Sequence, residues 1–367
     1  MSELSKHRTA RRIQALRGER SITQEVLSKA VGFADRQTLA AIEAGERSIS
    51  PDELVAVAAA LETTVADLLD PYRLGTNEAA FSFRSTTALD ADVVREFEAQ
   101  AGRWIATYRE TNARLGVRSH CLGAKLELSD GASYEEVEAA AEALVEEWNL
   151  GERPAEHLER AIERKLHALV LYVDMPEGLS GAASYMPGLS TILINRRESR
   201  SRRFFDLAHE LFHVLTWDAM PPRPLEVAHA KGAKGRRAEQ LANKFAAALL
   251  MPARIIKQHW DVAVTSDIAA RIVQLAAKLW VSPEALRFRL YNLGLLAKRM
   301  LKSALPASAI ITDDRPALFS KRYIAPVRNA VDHGFLSARR AAALLGMSLH
   351  GFALLCEQHG CPLAHDA

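Results

Sequence analysis

Two histidines four residues apart, His209 and His213, enclose a glutamate in the run Phe204-Phe205-Asp206-Leu207-Ala208-His209-Glu210-Leu211-Phe212-His213-Val214-Leu215. The run lacks Gly and Pro, is largely apolar, and is long enough for a buried helix. On a helix, residues i and i+4 share a face, so both imidazoles can point at one ion. Neutral imidazole suits zinc, and Glu210 between them reaches a water on the ion rather than the ion itself. Zinc brings the pKa of such a water down towards roughly 7, where a carboxylate can take its proton as general base.

Two histidines leave the set incomplete, because catalytic zinc usually keeps three protein ligands and one open position. The segment Glu239-Gln240-Leu241-Ala242-Asn243-Lys244-Phe245-Ala246-Ala247-Ala248-Leu249-Leu250-Met251-Pro252 carries small and apolar residues on one helical stripe, and Pro252 stops it. Glu239 is the expected third ligand. It lies 26 residues beyond His213, enough for a loop between two helices packed side by side. Glu226, Asp218 and His229 in the connecting region are its competitors. That region, 218–235, holds Pro221, Pro222, Pro224, Gly232 and Gly235, and reads either as a gate over the cleft or as an ordinary connection.

The elements that must position these groups read as follows. Leu169–Val173, Gly181–Tyr185 and Thr191–Asn195 read as strands, the last two joined at Pro187-Gly188, and they precede the metal helix in an α+β unit. A sheet edge beside the metal could hold an extended peptide. Tyr185 on that edge is a candidate for steadying an oxyanion, although a strand tyrosine more often packs. Upstream, Ser133-Tyr134-Glu135-Glu136 is a capping box that opens a helix to Trp148, and another helix covers 155–165. A long amphipathic helix is expected over 90–115, preceded by a linker at 71–87 with a short extended piece at 80–84.

Residues 8–69 read as a compact helical unit. Thr23 caps a helix over 24–31, Gly32 turns the chain, and a third helix over 36–44 ends at Gly45. Ser50 with Glu53 opens a fourth helix, and 65–69 is a short fifth. Two helices joined by a Gly turn, the second exposing Arg36, Gln37 and Thr38, have helix-turn-helix geometry. Through Leu16-Arg17, Thr23-Gln24, Ile42-Glu43-x-Gly45 and Leu54…Leu61…Leu68-Leu69, this stretch resembles the XRE (Cro/C1-type) DNA-binding domain. The resemblance implies that Gln24, Arg36, Gln37 and Thr38 face DNA, with Gln37 suited to adenine and Arg36 to guanine or phosphate. Asp35 departs from the pattern, where a small hydroxyl residue is common; it can cap the helix but would repel phosphate.

The two motifs His209-Glu210-x-x-His213 and Glu239-x-x-Ala242-Asn243-x-Phe245-Ala246…Leu249-Leu250-Met251-Pro252, with the helices and small sheet ahead of them, resemble the ImmA/IrrE family of zinc metallopeptidases over 133–297. That resemblance implies His209, His213 and Glu239 as zinc ligands and Glu210 as catalytic base. It also implies cleavage or regulated binding of a helix-turn-helix repressor during stress, DNA damage or mobile-element induction. Two rival readings are a transcription factor whose peptidase fold acts as a sensor, and the protease of an anti-phage or toxin–antitoxin system.

Beyond the metal motifs, Val281-Ser282-Pro283-Glu284 opens a helix ending at Gly294, and with the helix before it forms a second helix-turn-helix-like pair. Residues 310–367 add a small helical unit. Between Arg254 and Arg340 basic residues outnumber acidic ones, which fits a phosphate-binding or acidic-partner surface or an ordinary solvated face. Cys356-x-x-His359-x-Cys361-x-x-x-His365 fits no common zinc-finger spacing.

The expected architecture is mainly α: an N-terminal five-helix domain at 1–72, a linker and connector helix at 73–132, and a central α+β zincin-like peptidase domain with a small sheet at 133–262. A helix-turn-helix-like element at 263–300 and a C-terminal helical module at 301–367 follow. The 367 residues are 49% apolar and 25% charged with net charge +2, ordinary for a soluble globular chain. No apolar run approaches a membrane span. The start, Met1-Ser2-Glu3-Leu4-Ser5-Lys6, has no signal segment, and Cys121, Cys356 and Cys361 support no disulfide framework, so a cytoplasmic protein is expected. The expected partners are DNA, a protein substrate and, as an open option, a second copy in a homodimer.

Overall fold

The computed structural model describes residues 3–75, 78–85, 87, 89–117, 125–227, 233–261, 267–302, 304–305 and 315–364; Cys121, His229, Gly232 and His365 lie outside them. In chain order the elements are α1 (Glu3–Glu19), α2 (Gln24–Val31), α3 (Arg36–Glu43), α4 (Pro51–Ala60), α5 (Val65–Leu69), β1 (Ala80–Ser85), α6 (Ala91–Arg114), α7 (Tyr134–Glu147), α8 (Pro154–Lys165), β2 (Leu169–Val173), β3 (Leu179–Met186), β4 (Leu189–Asn195) and α9 (Arg200–Thr216). Then come β5 (Leu225–Val227), α10 (Ala233–Leu250), α11 (Ala253–Asp261), α12 (Ile268–Leu279), α13 (Pro283–Asn292), α14 (Lys321–Asp332), α15 (Ala338–Leu345) and α16 (Leu349–Gln358). The chain divides into two compact units: residues 1–80 with 98–117 and 329–352, and residues 81–97 with 118–328 and 353–367.

In the first unit, local signals set the helix ends. Thr23 accepts from Val26 N, Ser50 and Glu53 close a reciprocal capping box, and Gly32 ends α2 with φ 85°, the left-handed region glycine enters at little cost. Ile13, Leu39, Val57, Leu61 and Leu68 have no exposed surface, each stabilising the unit by about 1.5–3 kcal/mol. Arg12, 4% exposed, donates to the carbonyls of Leu68 (3.1 Å) and Asp67 (3.3 Å), satisfying oxygens at the end of α5.

The second unit is built on a sheet of order β2-β4-β3-β1-β5. β4 pairs parallel with β2 (Leu169↔Thr191) and antiparallel with β3 (Ala182↔Leu193), and β1 pairs parallel with β5 (Phe83↔Leu225). The sequence reading expected three strands and an open edge beside the metal helix. The structure corrects this: β3 lies between β4 and β1, so it has no free edge. The linker residues supply the reason. Phe81 and Phe83 stack at 5.6 Å and Phe83 is 1% exposed, so 80–85 gain enough apolar burial to join the sheet. The loop after α9 contributes β5. At the other end Phe319 N donates to Tyr172 O (2.7 Å), using one of the polar groups that edge strands leave open.

α9 packs across β3 and β4, and α10 packs on α7 and α9. α9 starts at Arg200, ahead of the run that opens at Phe204, so Arg203 joins Asp206 on its buried face. Among the described residues no single helix is long and apolar enough to cross a membrane.

Candidate functional site

The structure brings His209, His213 and Glu239 together, with one ligand atom from each within 4.8 Å of the others. The two Nε2 atoms are 3.1 Å apart; His209 Nε2 is 3.2 Å from Glu239 Oε2, and His213 Nε2 is 3.0 Å from Glu239 Oε1. Helix periodicity aligns the histidines, and the packing of α10 on α9 brings in Glu239. Of its competitors, Asp218 pairs with Lys125 and joins no metal-type group among the described residues, while the Glu226 side chain and His229 lie outside them.

The group fits zinc. Ligand bonds of about 2.0–2.1 Å at tetrahedral angles set donor atoms roughly 3.3 Å apart, close to the separations found. His213 Nδ1 is buried without a hydrogen-bond partner. Burial, then the positive charge of Arg84, hold the His209 pKa down to about 3, so its imidazole is neutral, the form that ligates.

Glu210 is 1% exposed and lies against β3: a Cβ at Gly181 would sit 3.1 Å from its Oε1, so glycine there leaves room for the carboxylate. Tyr185 stacks on Trp217 at 5.8 Å, the packing role a strand tyrosine usually takes. Together they line a cavity of about 260 Å³ with Leu126, Leu166 and Leu215.

Two further groups touch this site. Asn243 Oδ1 is 3.1 Å from His209 Nδ1 and accepts from Arg84 Nη2 at 3.2 Å. Asn243 lies one helical turn after Glu239 on the same face, a signal the sequence did hold. Arg84 had no local signal, because its partners Asp206 and Asn243 are 122 and 159 residues away.

In the first unit, Arg36 and Gln37 are exposed at the start of α3 and Thr38 is half-buried. Asp35 caps α3, accepting from Thr38 N (2.8 Å) and from the Thr38 hydroxyl (3.0 Å), and these bonds hold its carboxyl below the usual range. The Gln24 amide donates to Glu43 Oε2 (2.8 Å), which also receives Arg17. Gln24 and Thr38 are therefore engaged within the fold, and Arg36 and Gln37 offer the exposed polar atoms.

Part of the basic run of 254–340 is paired within the chain. Arg289 meets Glu138 and Glu142, Arg254 meets Glu146, Arg322 reaches Glu163 O, and Arg328 reaches Pro362 O. His359 Nε2 is 2.9 Å from Leu318 O, Cys356 is buried, and no metal-type group forms around Cys356, His359 and Cys361 among the described residues.

Residues 163–291 match the IrrE N-terminal-like domain, Peptidase_M78, and residues 13–68 match the helix-turn-helix family HTH_3. No curated relative matches the chain. Similar solved structures include the apo competence regulator ComR from Streptococcus vestibularis (14% identity, 98% of this chain and 99% of that one, TM-score 0.17). Another is Bacillus thuringiensis PlcR in complex with the peptide PapR7 and DNA (11% identity, 96% of this chain and 93% of that one, TM-score 0.17). A TM-score that low carries no argument about this chain. The two matched domains do: the chain joins an XRE-type helix-turn-helix domain of the DNA-binding kind to an IrrE N-terminal-like metallopeptidase domain.

Proposed function

We propose that this chain is a DNA-binding regulator with a zinc-dependent endopeptidase domain, whose substrate is a helix-turn-helix repressor or similar protein in a stress, DNA-damage or mobile-element response. The observation that carries this reading is the buried group of His209, His213 and Glu239 on two packed helices, with Glu210 beside it on the first. His209, His213 and Glu239 hold zinc, which when bound supplies Lewis acidity to a carbonyl and a water. Glu210 takes the proton of the attacking water and delivers it to the leaving amine. The apolar cavity beside Tyr185 and Trp217 suits an apolar side chain of the substrate. Arg36 and Gln37 make the base or phosphate contacts of the DNA domain.

The rival is a regulator whose peptidase fold senses a signal without cleaving. It is favoured by two observations: Glu210 is 1% exposed, and β1 occupies the flank of β3 along which a substrate strand would pair. The test compares wild type and Glu210→Gln, each with zinc, a cognate repressor and inducing conditions, by following fragment formation. A positioned acid–base group contributes roughly 10²–10⁴-fold, so cleavage drops by that range while zinc content holds. Equal cleavage removes Glu210 from the mechanism, and no cleavage by either protein moves the reading to the sensor. Zinc content of Glu239→Ala checks the ligand set: three protein contacts become two, and undiminished zinc would reject Glu239.

A further inference from the structure

A buried arginine from outside the span that matches the peptidase family reaches the metal group. Arg84, on β1, is 8% exposed. One of its guanidinium nitrogens meets Asp206 Oδ1, another donates to Asn243 Oδ1 at 3.2 Å, and its Cζ lies over the Phe205 ring, 5.7 Å from the centroid. A guanidinium has donors only, so it dictates which end of the Asn243 amide faces it: the oxygen. The same oxygen is 3.1 Å from His209 Nδ1. An amide oxygen only accepts, so the neutral imidazole carries its proton on Nδ1. His209 Nε2 then presents a lone pair towards His213 Nε2 and Glu239 Oε2, at 3.1 and 3.2 Å.

We infer that Arg84 is a positioning residue for the metal group: it locks the Asn243 amide and, through it, the His209 tautomer whose Nε2 lone pair faces the ion. The inference rests on the zinc reading above. Without Arg84 the amide is free to turn over and offer an N–H to His209 Nδ1. That favours the tautomer protonated on Nε2, with a hydrogen atom in the space the ion takes. Outer partners of this kind typically alter metal affinity by about 10–100-fold.

The experiment measures zinc affinity by chelator competition on the full chain, together with the tautomer of His209 in the zinc-free chain from imidazole ¹⁵N shifts. Arg84→Met removes both bonds but leaves Asp206 with less neutralisation. Arg84→Lys keeps a charge for Asp206 while a single ammonium replaces the fork. Arg202→Met is the control, because Arg202 also pairs with Asp206, at Oδ2 (3.0 Å), without touching Asn243. The expected result is a zinc Kd raised about 10–100-fold in Arg84→Lys and in any folded Arg84→Met, and equally in Asn243→Leu. Combining Arg84→Lys with Asn243→Leu adds nothing, since both act on one bond, and Arg202→Met stays within about twofold of wild type. The shifts report Nδ1–H in wild type and a gain of Nε2–H in Arg84→Lys. Zinc affinity within about twofold of wild type in Arg84→Lys, with the tautomer unchanged, overturns the inference while leaving the zinc reading standing. A wild-type chain that takes up no zinc overturns both.

Discussion

The helix pairs α2–α3 and α12–α13 are built by the same local rules and leave different side chains exposed. Thr23 and Asp35 cap the first pair, Asp267 and Ser282 the second, and each first helix ends in a left-handed residue, Gly32 at φ 85° and Trp280 at φ 60°. In the first pair the second helix opens with exposed Arg36 and Gln37. In the second pair Leu286 and Leu290 have no exposed surface, and Arg289 is 1% exposed. Its Nη1 and Nη2 meet Glu138 (2.7 Å) and Glu142 (2.9 Å), and its Nε donates to Met251 O (3.1 Å). Capping and turn chemistry make a helix-turn-helix; what packs against its second helix decides whether that helix has polar atoms left to offer DNA.

The largest test of that contrast is Arg289→Met. Removing one partner of a buried charge network typically costs 3–5 kcal/mol, and the partial exposure of Glu138 and Glu142 argues for the low end, about 3 kcal/mol. Denaturant unfolding should show that loss while operator affinity of the folded protein holds. Arg36→Ala should invert the pattern: about 1–3 kcal/mol lost from DNA binding, with stability changed by less than about 0.5 kcal/mol. Gel-shift titrations over a salt series check it, because affinity should fall linearly in log–log terms as phosphate contacts release counterions. If Arg289→Met weakened DNA binding as much as Arg36→Ala, the assignment of opposite roles to the two pairs would fail.

The two left-handed turns sharpen the comparison. Trp280 lies under the guanidinium groups of Arg200 (3.3 Å to the ring centroid) and Arg153 (4.8 Å) and stacks on Phe204 at 5.7 Å. A glycine there would relieve roughly 1 kcal/mol of left-handed strain but forfeit aromatic and cation–π contacts worth more. Trp280→Gly should therefore destabilise by about 1–2 kcal/mol by thermal unfolding, and a stabilised variant would show that the turn, not the stacking, governs this position. Gly32 has no atom near a substituted Cβ, so Gly32→Ala should cost only the backbone strain, about 1 kcal/mol.

What could be read from the sequence and what could not differ in range. Ser50 with Glu53, Ser133 with Glu136, and Ser282 before Pro283 all act within one helical turn, and the helices start where those residues place them. His209 and His213 share a face because helix geometry requires it. Glu239 was one of four acidic or histidine candidates until the packing of α10 on α9 brought it within 3.2 Å of both imidazoles. The linker piece at 80–84 read as a short extended stretch, yet 80–85 entered the sheet and covered the flank of β3, because strand pairing depends on partners far along the chain.

The engagement of Gln24 was likewise not a local property, since Glu43, 19 residues on, claims its side chain, whereas the cap residue Asp35 claims Thr38 from three residues away. Local periodicity and capping, which act over three or four residues, were determined by the sequence alone. The tertiary structure alone decided the approach of Arg84 to Asp206 and Asn243, 122 and 159 residues away. A buried donor must find an acceptor somewhere, and only the packed core determines which one is within reach.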